Sequence, residues 1–339
     1  MGRHMYNVSA FVDTASVMHS KRTFSAASAA LLLVVGLLVA IPGLNGAASA
    51  AGWRYTMVAF SNASDRTMDV YQSTDGTDYQ VLQRGAYTPP TGLVRDPSIF
   101  RNTDGTYYVT YTTGDPSNIG LASSRDRVHW TFMENWPVPL CCFLLPGTGD
   151  GKGWGNLGSS SGSDAGRGLP SLSPFTTKAW APDWFVDNGR VNIVFSMSTG
   201  GGFVPYVMTA LDPGLRVWSF PVPLGIQADH IDTTIVKIGG TYHAITKNET
   251  KKVIEHWTAP TLTGPYTPVP ITANWGSMLE GPAVVQLPNG TWRIYLDAYT
   301  RGKYFYADST DGLRTWSALK ELPGLSGTVR HAGVMREPA

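Results

Sequence analysis

The chain is poor in cysteine, in charge and in uninterrupted apolar sequence. Its 339 residues include 2 Cys, and these are the neighbours Cys141 and Cys142. Adjacent thiols cannot staple distant segments, which excludes a disulfide framework, and no Cys/His spacing matches a zinc site. A strained vicinal disulfide and two buried thiols both stay open for the pair. Asp, Glu, Lys and Arg make up 15% of the residues, and the net charge is +1. A nucleic-acid binder needs a basic surplus to neutralise phosphates, so no nucleic-acid partner is expected. The one long apolar run, residues 29–44, is interrupted by Gly36 and Pro42. It is short for a bilayer span, which needs about 20 residues. Lys21 and Arg22 precede it, and Ala48-Ser49-Ala50 follows it. A basic region, an apolar region and a small-residue site in that order make a secretory signal. Residues 1–50 therefore read as a signal peptide with extra residues ahead of it, since Met18 is a more typical start. The mature chain is expected to span 51–339, to begin at Ala51, and to be secreted and extracellular with no membrane attachment after cleavage.

What is abundant points elsewhere. Hydrophobic residues are 42% of the chain and include 11 Trp, enough for a packed core rather than a disordered chain. The 37 Gly and 23 Pro exceed the roughly 12% that the two make up in average usage. Many turn-formers, many aromatics and little charge predict an all-β protein with carbohydrate-like or other neutral partners.

Two registers repeat along the chain. The first contains Asp96-Pro-Ser-Ile-Phe, Ala181-Pro-Asp-Trp-Phe, Asp232-Thr-Thr-Ile-Val, Glu280-Gly-Pro-Ala-Val-Val and His331-Ala-Gly-Val-Met. After the first four comes a turn, Asp104-Gly105, Asn188-Gly189, Gly239-Gly240 or Asn289-Gly290, and then a second alternating strand. Such dipeptides between β-rich runs signal hairpins. The second register ends on Tyr79, Trp130, Trp218, Tyr266 and Trp316. Each register has one long interval, and both long intervals contain residues 131–179. Elsewhere the period is about 50 residues, the size of a four-stranded propeller blade. The excess is an insertion rich in Gly and Ser, about 147–172. The fifth unit, opened by His331, is completed by N-terminal strands predicted at Tyr55–Phe60, Met68–Gln72 and Tyr79–Gln83. The expected fold is a five-bladed β-propeller over 51–339, closed in blade five by the two chain ends. Two β-sandwiches would not produce matched registers.

The first strand of a propeller blade lines the central channel. The register places Asp96, Ala181, Asp232, Glu280 and His331 around one axis, with Asp183 sharing the facing of Ala181 by strand alternation. Converging carboxylates repel and resist desolvation, so they cost stability unless a cation or a function offsets them. Two opposed carboxylates are what glycoside hydrolysis needs. One protonates the leaving oxygen and the other activates water, and a wide separation favours inversion. A third carboxylate beside the acid helps to keep it protonated.

These segments together resemble glycoside hydrolase family 43, the five-bladed inverting enzymes of clan F, over about residues 93–335. Arg95-Asp96-Pro97-Ser98-Ile99-Phe100 resembles the general-base strand. Trp180-Ala181-Pro182-Asp183 resembles the second-blade motif. Ile231-Asp232-Thr233-Thr234 resembles the strand of the pKa-modulating Asp, and Glu280-Gly281-Pro282 the general-acid motif. Thr233 stands where the family often has Pro, and Asp229 just upstream is a rival acid. The resemblance implies Asp96 as base, Glu280 as acid and Asp232 as modulator. It also implies that Arg330-His331-Ala332-Gly333 brings a His into the channel, where some members hold calcium. No cofactor is required; a structural calcium near His331 is the one metal candidate, with a carboxylate partner as the alternative. Trp180, Trp184, Trp275, Arg95, Asp183 and His331 are substrate-binding candidates, the tryptophans competing with packing between blades. Trp130, Trp218 and Trp316 are expected in the core. The expected activity is removal of α-L-arabinofuranoside or β-D-xyloside units from an oligo- or polysaccharide by a monomer. A non-catalytic sugar-binding propeller, a galactan- or fructan-cleaving relative and a sialidase-like propeller are the rival readings.

Overall fold

A computed structural model describes residues 52–139 and 176–339 of the chain. The signal-peptide stretch 1–50, the Cys141–Cys142 pair and the insertion 147–172 lie outside the described residues.

Twenty strands form five antiparallel four-stranded sheets, with no helix among the described residues. The first sheet contains β4 (Arg95–Arg101), β5 (Tyr107–Thr112), β6 (Asn118–Ser124) and β7 (Trp130–Pro137). The second contains β8 (Lys178–Asp187), β9 (Arg190–Ser198), β10 (Val204–Thr209) and β11 (Val222–Pro223). The third contains β12 (His230–Ile238), β13 (Thr241–Asn248), β14 (Val253–Ala259) and β15 (Thr267–Val269). The fourth contains β16 (Glu280–Gln286), β17 (Trp292–Ala298), β18 (Lys303–Ser309) and β19 (Lys320–Glu321). The fifth joins the chain ends in the order β20 (Val329–Pro338), β1 (Trp53–Ser61), β2 (Met68–Ser73) and β3 (Gln80–Tyr87). The molecule is a five-bladed β-propeller.

The innermost strands β4, β8, β12, β16 and β20 each touch the next, and β20 touches β4, so the ring is closed. Five hydrophobic clusters fill the five gaps between neighbouring blades. Tyr55 and Tyr71 of the closing blade, for example, pack on Tyr295 and Tyr304 of its neighbour, all four fully buried. Burial of one large apolar side chain contributes about 1.5–3 kcal/mol, so packing between blades is the main cohesion of the ring. The closing blade is also pinned by charge. Glu337, near the end of β20, is buried and accepts Arg54 at 2.7 Å and Arg101 at 3.2 Å.

One irregularity recurs in every blade. The ladder between the innermost strand and its partner slips at Arg95/Ser98, Trp180/Asp183, Ile231/Thr234 and Glu280/Ala283, and opposite Val58/Phe60 in the closing blade. At each slip one residue has a positive φ: Asp96 50°, Ala181 50°, Asp232 59°, Gly281 59° and His331 22°. These are β-bulges, each adding one residue and turning the strand. The backbone thus corrects the sequence register in one blade. Gly281, not Glu280, is the counterpart of Asp96, and Glu280 corresponds to Arg95, Trp180, Ile231 and Arg330.

Candidate active site

The bulges bring chemistry to one place. Asp96, Asp232, Glu280 and His331 line a single cavity of about 390 Å³, together with Arg95, Trp180, Phe203 and Lys247. Around the ring the order is Asp96, Ala181, Asp232, Gly281, His331. Asp96 and Glu280 therefore stand on strands that are not neighbours, with β20 and His331 between them. Asp183 lies further along the channel with Ser98, Pro282 and Gly333, where the space narrows.

A second set of residues ties the bulges together. Opposite each of three slips the second strand carries a side chain that accepts the N–H of the next blade's bulge residue. Thr112 Oγ1 accepts from Ala181 at 2.8 Å, Ser196 Oγ from Asp232 at 3.2 Å, and Asp297 Oδ2 from His331 at 3.0 Å. Between the third and fourth blades Asp232 Oδ2 itself accepts the N–H of Gly281 at 3.2 Å. Strained backbone persists only where its surroundings over-determine it, and these bonds supply that determination at Ala181, Asp232, Gly281 and His331.

The electrostatics divide the acids. His331 Nδ1 stands 3.1 Å from Asp96 Oδ1 and 4.0 Å from Asp232 Oδ2. Burial pushes the His331 imidazole down, but the charges of Asp96 and Asp232 outweigh it and raise it to about 9. Burial pushes the Asp96 carboxyl up, yet His331, Arg95 and the 2.7 Å bond from Thr112 hold it down at about 2. Asp96 is thus a carboxylate and His331 an imidazolium at neutral pH. Asp232 goes the other way. Burial raises it, Glu280 and Asp96 repel its charge, and His331 and Lys247 offset only part, leaving it at about 6. Glu280 has a cation on each oxygen, Lys247 Nζ at 3.0 Å and Arg330 Nη2 at 3.1 Å. Arg330 Nε is held at 2.6 Å by Asp297, a fully buried carboxylate that burial raises to about 6. Asp183 is raised by burial and accepts Ser98 Oγ at 2.6 Å.

The substrate-binding candidates separate. Trp180 lines the cavity beside Phe203, ring centroids 5.2 Å apart, with Lys178 Nζ 4.8 Å over the indole. Arg95 and His331 also line it. Trp184 does not: it is buried among Phe100, Tyr108 and Trp218, and its Nε1 donates to Ser98 O at 3.1 Å. Trp275 is buried against Trp316 and donates to Ser317 O at 3.0 Å. Both are packing residues between blades. Trp218 and Trp316 are buried, and Trp130 is half-buried against the same kind of core. Asp229, the rival acid, hydrogen-bonds with Thr250 and is not part of the cavity wall. Sequence reasoning missed Lys247, Glu249, Phe203, Thr112 and Asp297. For Thr112, Lys247 and Asp297 the signal is hairpin register, because each pairs directly with the residue before a bulge.

The residues present do not fit a calcium ion at His331. Among the described residues no three His, Cys, Asp or Glu side chains are arranged to hold a metal. The Nδ1 proton of His331 is directed to Asp96, and Glu280 already faces two cations. Calcium seeks six to eight oxygens, and here nitrogen cations occupy the carboxylates.

No protein-family model and no curated protein matches the chain. Solved structures do. An endo-1,4-β-xylanase from Bacteroides thetaiotaomicron is 14% identical, with 79% of this chain and 91% of that chain covered and a TM-score of 0.55. A GH43 β-1,3-galactosidase solved with galactodeoxynojirimycin is also 14% identical, over 78% of this chain and 85% of that chain, at 0.55. GH43B from the xyloglucan PUL of Bacteroides ovatus is 17% identical over 69% of this chain, at 0.47, and the chain spans 41% of its length. The first two share the fold of this chain, the five-bladed propeller.

Proposed function

We propose that the protein is an inverting glycoside hydrolase with Asp96 as base and Glu280 as acid. The observation that carries this reading is the pair's placement. Both carboxyls face one cavity from non-adjacent strands, and one of them is held ionised by an imidazolium. Asp96 takes a proton from water while Thr112 and His331 fix both of its oxygens. Glu280 gives a proton to the leaving oxygen on the far side of the sugar. Asp232, on the strand next to Glu280, is the third carboxyl of the site and repels the charge of the acid. Trp180 and Phe203 form an apolar wall on the side where the ring carries Ala181 instead of an acid, which suits the face of a sugar ring. The substrate class is a neutral glycan, α-L-arabinofuranoside or β-D-xyloside units of plant-type hemicellulose or pectin, processed outside the cell.

The test is hydrolysis of aryl α-L-arabinofuranoside, aryl β-D-xyloside and linear arabinan by the mature chain. Asp96→Asn and Glu280→Gln are each expected to lower turnover by at least about 100-fold, the usual contribution of one acid–base group, with unchanged circular dichroism. Near-wild-type turnover in either variant removes the assignment.

A further inference from the structure

Glu280 is gripped from both sides, and the two grips differ in kind. Arg330 reaches Glu280 Oε1 at 3.1 Å, and its Nε is locked at 2.6 Å on Asp297, which has no exposed surface. That guanidinium has no second place to go. Lys247 reaches Glu280 Oε2 at 3.0 Å and also stands 2.8 Å from Glu249 Oε2. Glu249 lies on the cavity wall with a side chain 31% exposed, so Lys247 has a partner nearer solvent. Its ammonium also sits 4.7 Å over the Tyr299 ring. A lysine ammonium is a point charge on a flexible stem and accepts such a change of partner, whereas a forked guanidinium on a buried acid does not.

This arrangement poses a problem for a proton donor. Two cations sit on the Glu280 carboxylate, whereas protonating a leaving oxygen needs a proton there. The groups facing Glu280 are Asp232 on β12, Lys247 on β13, Asp297 on β17, and Arg330 and His331 on β20, with Glu249 just beyond β13 and Asp96 across the ring on β4. Arg330 is locked on Asp297, and His331 is engaged by Asp96. Lys247 is the cation whose displacement toward Glu249 leaves Glu280 facing the carboxyl of Asp232. We propose that Lys247 is a positioning residue that decides when Glu280 holds its proton, pairing with it in the empty cleft and passing to Glu249 when sugar enters. This deepens the glycosidase reading and rests on it for the word sugar, but the coupling among Lys247, Glu249 and Glu280 can be measured without turnover.

The experiment is a titration of the Glu280 carboxyl carbon by NMR in mature protein labelled with ¹³C-glutamate, the resonance being identified by its loss in Glu280→Gln. Lys247→Met removes the cation and keeps the stem, so the Glu280 midpoint is expected to rise by about 1 pH unit. Glu249→Gln leaves Lys247 with Glu280 as its main partner, so the midpoint is expected to fall. Glu249 is partly exposed, and this second variant keeps the test decisive if Lys247→Met fails to fold. The alkaline limb of kcat/KM, which reports the acid, should move in the same directions. Fixed charges alone would also give opposite shifts, so the transfer itself is read from ligand binding: saturating L-arabinose or D-xylose should raise the Glu280 midpoint in the wild type and leave it unmoved in Lys247→Met, and a midpoint that the sugar does not move in the wild type overturns the proposal. An unmoved midpoint in both variants, or shifts of one sign, overturns the proposal. Shifted midpoints in a protein that cleaves no glycoside would sustain the coupling and refute the glycosidase reading instead.

Discussion

Gly281 shows how narrow the tolerance is at a single residue. Its φ of +59° is shared in kind by Asp96, Ala181 and Asp232, which all carry side chains, so conformation alone does not demand glycine there. Space does. A Cβ at 281 would stand 2.6 Å from Cγ and 2.7 Å from Cδ2 of His331, because the imidazole lies against this backbone. Gly281→Ala is expected to cost about 2–4 kcal/mol, combining backbone strain with overpacking. It should also push His331 off Asp96 and lower activity in whatever fraction folds. Urea unfolding checks the first expectation, with Ala181→Gly as a control that relieves strain without touching the imidazole. A Gly281→Ala protein as stable as wild type would show that His331 is not held by this contact. The four titratable groups that converge were legible as residues, since Asp96, Asp232, Glu280 and His331 recur at the head of the hairpins and all reach the cavity. The phase between Glu280 and the other three was not. A bulge adds a residue without changing the pattern of side-chain types, and glycine carries no side chain to mark the equivalent position.

The same bulge decides which tryptophan meets the cavity. Trp180 and Trp184 are four apart on β8, and in a regular strand they would share a face. The extra residue at Ala181 reverses the parity between them. Trp180 therefore enters the cavity, while Trp184 turns into the gap between β4 and β8, where Ser98 receives its indole N–H. Trp184→Ala is expected to cost about 3–5 kcal/mol while leaving the specific activity of the folded fraction near wild type. Trp180→Ala should leave the melting temperature close to wild type and raise KM for a glycoside. Thermal melts beside steady-state kinetics read both, and an exchange of the two phenotypes would contradict the parity argument. Strand existence and order were legible from turn dipeptides and alternation. The residues that tie one blade to the next were not, because Thr112, Ser196, Lys247 and Asp297 look like ordinary strand residues until the hairpin register places each opposite a bulge.

Over the whole molecule, closing the ring concentrates charge on the axis, and stability should record this as pH changes. Asp96 is held near 2, below its ordinary 3.8, so its contribution is present above 3.8 and lost as pH falls through 2. Asp232 and Asp297 are raised to about 6, so the folded chain binds their protons more tightly, and that contribution fades as pH rises from 3.8 through 6. His331 is raised from 6.5 to about 9, so its contribution is full below 6.5 and lost as pH rises through 9. Above pH 4 these groups all act in one direction, and only His331 titrates between 6.5 and 9 among them. The melting temperature is therefore expected to decline across that window. In His331→Gln the melting temperature should be lower than wild type at pH 6.5, and the gap should narrow toward pH 9.5. The physical reason is that Asp96 and Asp232 face each other without a cation once the imidazolium is gone, in the variant at every pH and in the wild type only after deprotonation. Two melting curves that stay parallel from pH 6 to 9.5 would mean that the axial charge is balanced by something other than His331, with Lys247 and Arg330 the next groups to remove.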